Sequence, residues 1–334
     1  MSAHIAETAS ERAQALAGHA QYLIATAARA PSVHNSQPWR FRVSQDAIEL
    51  WSDPRRRTWS DASGRELLIS CGAALFGLRL AVRSLGFQAD VELLPDPGRL
   101  RLLARVRPGR ALPMNALEAR MMAAVPHRHT HRGPFEPVPL PRGLLPRLQN
   151  DVLREGAELA LIPPGLGYER LARLAVSAAR RGDLDPRARA TIRRWTRAVS
   201  DPGRDGIPAT ALTPRPALHM QPGRLPQRDF DLDRNLGVLP ADGTPPAVTA
   251  ILLTRDDRRP DWLRAGQALH RMLLDAATEW VFASLYTQPL EDPVTRLLIP
   301  GRVGVPGHPQ MILQLGRVTA AAATARRAPE ELTF

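Results

Sequence analysis

From Glu66 to Leu85 the chain is apolar on nearly every side. A surface helix keeps one polar face, so this pattern demands a helix buried all round, with the rest of the fold built about it. Gly86 follows where a C-terminal glycine cap belongs. Part of the segment has a counterpart two hundred residues on. Cys71-Gly72-Ala73-Ala74-Leu75-Phe76-Gly77-Leu78 lines up with Ala265-Gly266-Gln267-Ala268-Leu269-His270-Arg271-Met272. Each copy has a small residue and Gly, then Ala-Leu, and each Gly lets another backbone come close. At 334 residues, 44% of them hydrophobic, the chain has room for two such cores.

The remaining pattern is α+β. A helix with Ser10 as its cap carries Ala13, Leu16, Ala20, Leu23, Ile24 and Ala27 on one stripe, and must end before Ala30-Pro31. Trp39-Arg40-Phe41-Arg42-Val43 alternates as a strand, with a hairpin partner over 47–51. Strands are expected at 89–94 and 100–106, and Asn115-x-x-Glu118 is a capping box for a helix to about Val125. Further on, helices are expected at 142–154, 167–181, 187–199 and 261–284, and strands at 157–162, 248–253 and 310–315. Residues 200–246 differ. Pro202, Pro208, Pro214, Pro216, Pro222 and Pro226 forbid a long helix or central strand, and a stretch of that length reads as a lid or a disordered insertion.

Composition removes several chemistries. All 45 basic residues are Arg, which excludes a Schiff-base lysine, a phosphate-loop lysine and a lysine general base. Cys71 is the single cysteine, so there is neither a disulfide framework nor a multi-cysteine zinc site, and a small core residue is its expected role. No basic stretch followed by an apolar one opens the sequence, and no apolar run approaches the roughly 18 residues of a membrane span. The expected protein is soluble and cytoplasmic. A net charge of +12 favours anionic partners, and Arg55-Arg56-Arg57 or the span from Arg187 to Arg197 could serve nucleic acid. With 5% aromatic residues and no stacking platform, composition argues against that partner. An absence of Lys beside abundant Ala, Pro and Arg reads as codon bias.

Two segments concentrate polar chemistry. In Pro126-His127-Arg128-His129-Thr130-His131-Arg132-Gly133-Pro134-Phe135 three imidazoles could share one strand face as metal ligands. No Asp or Glu accompanies them, and Arg128 and Arg132 would repel a dication, so no metal is expected. An anion held by two guanidiniums and a hydroxyl suits the segment better, and a solvated loop stays open as a third reading. In Ala30-Pro31-Ser32-Val33-His34-Asn35-Ser36-Gln37-Pro38-Trp39 two prolines fix a turn whose short polar groups could read the edge of a planar heterocycle, although an ordinary turn uses the same residues. Trp195 and Trp280 are expected to pack on helices. No Gly-x-Ser-x-Gly elbow and no Gly-x-Gly-x-x-Gly loop is present, and no catalytic side chain stands out.

Together these segments resemble the nitroreductase family of FMN-binding proteins. Arg128-His129-Thr130-His131-Arg132 with Phe135 is similar to its Arg-x-Ser-x-Lys/Arg-x-Phe motif, and Pro31-Ser32-Val33-His34-Asn35-Ser36-Gln37-Pro38-Trp39 to its Pro-Ser-x-x-Asn-x-Gln-Pro-Trp turn. Arg326-Arg327 resembles the basic pair that completes the phosphate site, and Tyr286 to Glu291 falls where the family runs backbone past the flavin. The motif order is reversed, and each occurs once. Two degenerate halves in tandem, over 1–110 and 111–334 with a lid-like insertion at about 200–246, would explain this, as in the Acg-like branch of the family. The resemblance implies a nitroreductase-like pseudo-dimer around one FMN, with or without further association. It implies cofactor binding by Arg128, His129, Thr130, Arg132, Pro31, Ser32, Asn35, Gln37, Arg326 and Arg327, with Arg132 beside the reduced ring and His34 facing substrate. NAD(P)H and a small acceptor, such as a nitroaromatic or a quinone, are the implied partners. A flavin-storing protein with a closed lid is the alternative.

Overall fold

The computed structural model describes residues 9–212, 224–232, 234, 247–320 and 324–334. Of the lid-like 200–246 stretch, 213–223, 233 and 235–246 lie outside the described residues.

The chain builds the same unit twice. In the first half, helices α1 (Ala9–Gly18) and α2 (Ala20–Ala28) precede strands β1 (Trp39–Val43) and β2 (Ile48–Ser52), helix α3 (Arg65–Ser84), and strands β3 (Phe87–Leu93) and β4 (Leu102–Ala111). The strands form an antiparallel sheet in the order β1-β2-β4-β3. After α4 (Ala116–Ala124), opened by the Asn115–Glu118 capping box, the second half begins with α5 (Leu144–Arg154) and β5 (Glu158–Ile162). Helices α6 (Leu166–Leu184) and α7 (Pro186–Trp195) and the two-residue strands β6 (Thr196–Arg197) and β7 (Ile207–Pro208) are inserted here. Then come β8 (Val248–Thr254), α8 (Arg259–Ala277), β9 (Val281–Tyr286), α9 (Gln288–Glu291), α10 (Pro293–Val303) and β10 (His308–Arg317). This second sheet is also antiparallel, in the order β5-β8-β10-β9. In each half the long helix follows the second strand and the fourth strand lies between the second and third. This repeated strand order is consistent with the duplication suggested by the short Gly-Ala-Leu match.

The two long helices cross at those matched glycines. A Cβ on Gly72 would stand 2.2 Å from the Leu263 carbonyl oxygen, and one on Gly266 would stand 2.0 Å from that of Ile69. Hydrogen at these two positions is what lets α3 and α8 pack backbone to backbone. Asp61 fixes the start of α3 by accepting the Glu66 and Leu67 amides at 3.0 and 2.9 Å, and Gly86 leaves it with φ +88°. On β1 the alternation buries Trp39 and Phe41 and turns Arg40 and Arg42 the other way. The C-terminus returns to this half: Thr333 bridges Phe41, and Leu332 of α11 (Pro329–Leu332) is buried in its core.

Several expectations change. The first helix is broken at Gly18-His19, where glycine is a poor helix former, and Ser10 lies inside α1 instead of capping it. The helix expected over 261–284 stops at Ala277. Trp280, with φ +56° and 45% exposed, makes the turn into β9, so it is not a packed helix residue; Trp195, by contrast, is buried. Val281–Tyr286 is an unbroken apolar run, which fits a buried strand as well as a buried helix. Among the described residues one helix, α3, is long and apolar enough to cross a membrane, against the expectation of none, and it is the core of this fold.

A buried ion network ties α5 to α8. Arg271 donates to Asp151 Oδ1 at 2.8 Å and Arg147 donates to Asp275 Oδ2 at 2.7 Å, which sets the Asp151 and Asp275 carboxyls against each other. Burial, then that contact, pushes Asp151 up to about 6. The folded chain therefore holds a proton that the unfolded chain has already released, and stability falls as pH rises through about 6. Asp151→Asn keeps the acceptor for Arg271 and supplies a permanent donor to Asp275. The variant is expected to melt above wild type at pH 8 and beside it at pH 4; equal melting temperatures at pH 8 would refute the raised Asp151 carboxyl.

Candidate functional site

The Pro31–Pro38 turn is the most strained backbone near the interface of the halves. His34, Asn35 and Gln37 have φ of 50°, 54° and 49°, a left-handed conformation that costs on the order of 1–3 kcal/mol for each non-glycine residue. Side chains hold it there. Ser32 Oγ accepts the Gln37 amide at 3.0 Å. Asn35 Nδ2 donates to the carbonyls of Gly206 (2.9 Å) and Ala325 (3.2 Å). Buried Gln37 donates to the Arg204 carbonyl at 2.8 Å and accepts the Arg327 amide at 2.9 Å. One turn therefore fastens the 204–206 segment and the C-terminal arginines to the first half.

Beside it lies a cleft of about 1130 Å³, counting its solvent-filled mouth. Pro31, Ser32, Val33 and His34 form one wall with Glu66, Ile69 and Ser70 of α3; Thr130, His131, Arg132 and the span 284–288 form another. Leu212 and residues 227–230 complete it from the inserted segment. The His-rich motif is placed by β9, the strand that periodicity conceals. Thr130 bridges Ala283, the His131 amide donates to the Ala283 carbonyl at 2.9 Å, and Ser284 Oγ donates to the His131 carbonyl at 2.9 Å.

The three imidazoles of that motif do not converge. His127 stacks on Trp280, His129 packs on Phe282 with ring centroids 4.5 Å apart, and His131 bonds the Pro134 carbonyl. Burial holds His129 down at about 4. The arginines do converge. Arg128, 5% exposed, makes one hydrogen bond, to the Arg29 carbonyl at 3.0 Å, and its Nε and Nη1 have no partner among the described residues. Arg326 reaches the same carbonyl at 3.4 Å and keeps an unpartnered Nε. Arg132 lies over the Phe230 ring, 5.5 Å from its centroid. Burial draws Arg128 and Arg132 down to about 10 and Arg326 well below the usual guanidinium range, and Arg128, Arg29 and Arg132 all repel Arg326. No ion pair relieves these three cations among the described residues. Arg327 turns instead to Glu331, Nε to Oε2 at 3.5 Å, so the C-terminal pair divides its roles.

On the wall, His34 meets Phe230 edge to face at 5.6 Å. Burial, with Arg228 nearby, holds it neutral by lowering it to about 3. Arg228 itself pairs with half-buried Glu291, which also accepts the Thr287 hydroxyl at 2.7 Å. Sequence reasoning missed Glu66, Arg228 and Phe230. Glu66 looks like an ordinary acidic residue of a first helical turn, and Arg228 is one arginine among 45. The expected Ser32, Pro31, His34, Thr130 and Arg132 are on the cleft wall. Asn35, Gln37, His129, Arg128, Arg326 and Arg327 stand behind it.

Buried guanidiniums without counter-ions are costly, and an anion of more than one charge brought to them relieves that cost. The fold and site define a class: an α+β chain with two sheets of like strand order and a cleft beside a cluster of arginines that have no ion pair among the described residues. Comparison with known proteins narrows it. The chain is 33% identical over 296 residues to the Mycobacterium tuberculosis protein named "Putative NAD(P)H nitroreductase Rv3131", spanning 88% of this chain and 83% of that one. It is 30% identical over 292 residues to "Putative NAD(P)H nitroreductase acg" of the same species, spanning 87% and 86%. The chain belongs to this nitroreductase family. No protein-family model matches it. A nitroreductase with bound FMN from Bacteroides fragilis covers 64% of the chain at a TM-score of 0.36 and 11% identity, too slight a likeness to argue from.

Proposed function

We propose that the chain is an FMN-binding oxidoreductase that takes hydride from NAD(P)H and passes electrons to a small acceptor, a nitroaromatic or a quinone. The observation that carries this reading is the cluster of buried Arg128 with half-buried Arg132 and Arg326, mutually repelling and without carboxylate partners among the described residues. FMN fits it: a phosphate of about −2 charge meets guanidinium forks in bidentate geometry, and the cleft beside them is walled by apolar and hydrogen-bonding groups. Arg128, Arg132 and Arg326 would hold the phosphate, while Pro31, Ser32 and Thr130 would line the ring and its ribityl chain. Asn35, Gln37 and Arg327 would act through the turn they brace. When bound, FMN supplies the reversible two-electron chemistry; the protein supplies binding and orientation. In the same reading the protein works as a pseudo-dimer in the cytoplasm, with Cys71 a free buried thiol.

Because the Pro-Ser-x-x-Asn turn and the Arg-x-Thr-x-Arg motif each occur once, FMN should saturate at one per chain. Two per chain by absorbance would defeat the complementary-halves reading. A storage role is the second reading, favoured by the way Arg228 and Phe230 close over the wall onto Glu291 and His34. Addition of NADPH to the loaded protein separates the two. Turnover predicts bleaching of the flavin within seconds. Storage predicts an oxidised wild type and a reducible Phe230→Ala variant. If neither is reduced by NADPH or NADH while dithionite bleaches both, the nicotinamide-dependent reading fails.

A further inference from the structure

One carboxyl group on the cleft wall has no part in holding an anion. Glu66, in the first turn of α3, is 4% exposed. Its Oε1 meets Arg65 Nη2 at 3.3 Å, and its Oε2 is buried with no partner among the described residues. Arg65 is shared, donating to the Gln310 carbonyl at 2.9 Å and to the Leu290 carbonyl at 3.5 Å. The charged groups facing Glu66 are Arg65 on its own helix, Asp61 from the preceding turn, Glu291 from α9 and Arg228 from the inserted segment. Arg228 is already engaged by Glu291, and Asp61 by two backbone amides. Burial, reinforced by Glu291 and opposed by Arg65, raises Glu66 well above the usual carboxyl range and so favours its protonated form.

The other imidazole, phenol and carboxyl groups on this wall are not placed to give a proton. His34 and His131 are held neutral by burial, and His131 is tied to the Pro134 carbonyl. Tyr286 donates its hydroxyl to Gln314 at 2.7 Å and burial strengthens its hold on that proton. Asp229 accepts the amides of Asp231 and Leu232, and Glu291 is ionised beside Arg228.

We propose that Glu66 is the proton donor to the acceptor reduced in this cleft; a quinone shows the balance. The proposal rests on the oxidoreductase reading. Two-electron reduction of a quinone to its hydroquinone needs a hydride equivalent and a proton. NAD(P)H is the source of the hydride and leaves oxidised. The O–H bond of Glu66 breaks, its proton forms the O–H bond on the acceptor oxygen, and the bonding pair stays on the carboxylate, which solvent reprotonates. A carboxyl whose protonated form is favoured, set on the cleft wall within reach of solvent, is what such a step requires.

Infrared spectra test the proton and transient kinetics test its use. Wild type at neutral pH should show a protonated-carboxyl stretch that disappears in Glu66→Gln and, in wild type, as pH is raised. Reoxidation of dithionite-reduced protein by a soluble benzoquinone should be slower in Glu66→Gln by roughly a hundredfold. In wild type that rate should fall with rising pH in step with the infrared band, and in the variant it should not respond. Absence of the band from wild type, or reoxidation of the variant at the wild-type rate, overturns the proposal. A chain that takes up no FMN overturns the oxidoreductase reading and the proposal with it, and its colourless absorption spectrum identifies that outcome whatever the band does.

Discussion

Replacing Arg128 and Arg132 together by Met should weaken FMN binding by roughly a hundredfold or more, and should make the cofactor-free protein more stable. The first effect follows from losing charge-assisted hydrogen bonds of about 1.5–3 kcal/mol each to the phosphate. The second has the opposite sign because of where these side chains sit. Arg128 is buried with Nε and Nη1 unpartnered, and Arg326 and Arg132 repel it across the same space. Methionine keeps much of the stem's volume and removes a charge that the empty protein does not compensate. A structural ion-pair arginine would behave otherwise, since its loss leaves a partner stranded. Fluorescence titration with FMN and thermal melts of the cofactor-free proteins measure the two effects. A double variant that purifies fully loaded would move the phosphate site elsewhere. One that melts below wild type without cofactor would show that these cations are compensated after all.

The motifs that carry this prediction were legible in the sequence because they are local. Arg128 and Arg132 lie four residues apart, and the turn is framed by Pro31 and Pro38. The all-apolar pattern from Glu66 to Leu85 located the central helix to within a residue, since burial on every face leaves no competing period. What stayed hidden depends on distant partners. Val281–Tyr286 could not be told from a continuing helix, yet this strand seats the arginine motif through Ala283 and Ser284. The roles of Asn35 and Gln37 were also concealed. Their side chains face backbone of residues 204–206 and 325–327, a link that spacing cannot reveal. Glu66 is the extreme case. Its chemistry comes from burial and from an Oε2 with no partner among the described residues, which are properties of the packed protein alone.

The largest effect of a single methyl group is expected at Gly266. Its Cβ in Gly266→Ala would lie 2.0 Å from the Ile69 carbonyl oxygen, 2.7 Å from the Ala73 amide nitrogen and 2.8 Å from the Gly72 Cα. All three are atoms of the α3 backbone, so no flexible side chain can yield and the two helices must separate. That crossing is the contact between the repeated units, and Ile69 and Leu269 beside it form part of the cleft wall. Overpacking against rigid backbone should cost about 3 kcal/mol or more. Gly72→Ala presses on the Leu263 carbonyl at 2.2 Å from the same crossing, so the double variant should lose less than the sum of the two. Gly301 in α10 serves as the control. A Cβ there meets nothing within 4 Å, and Gly301→Ala should gain up to about 1 kcal/mol from helix propensity alone. Urea unfolding midpoints at constant slope give all four values. If Gly266→Ala unfolds with wild type, the backbone contact between α3 and α8 is not what joins the halves, and the matched glycines are a coincidence of two alanine-rich helices.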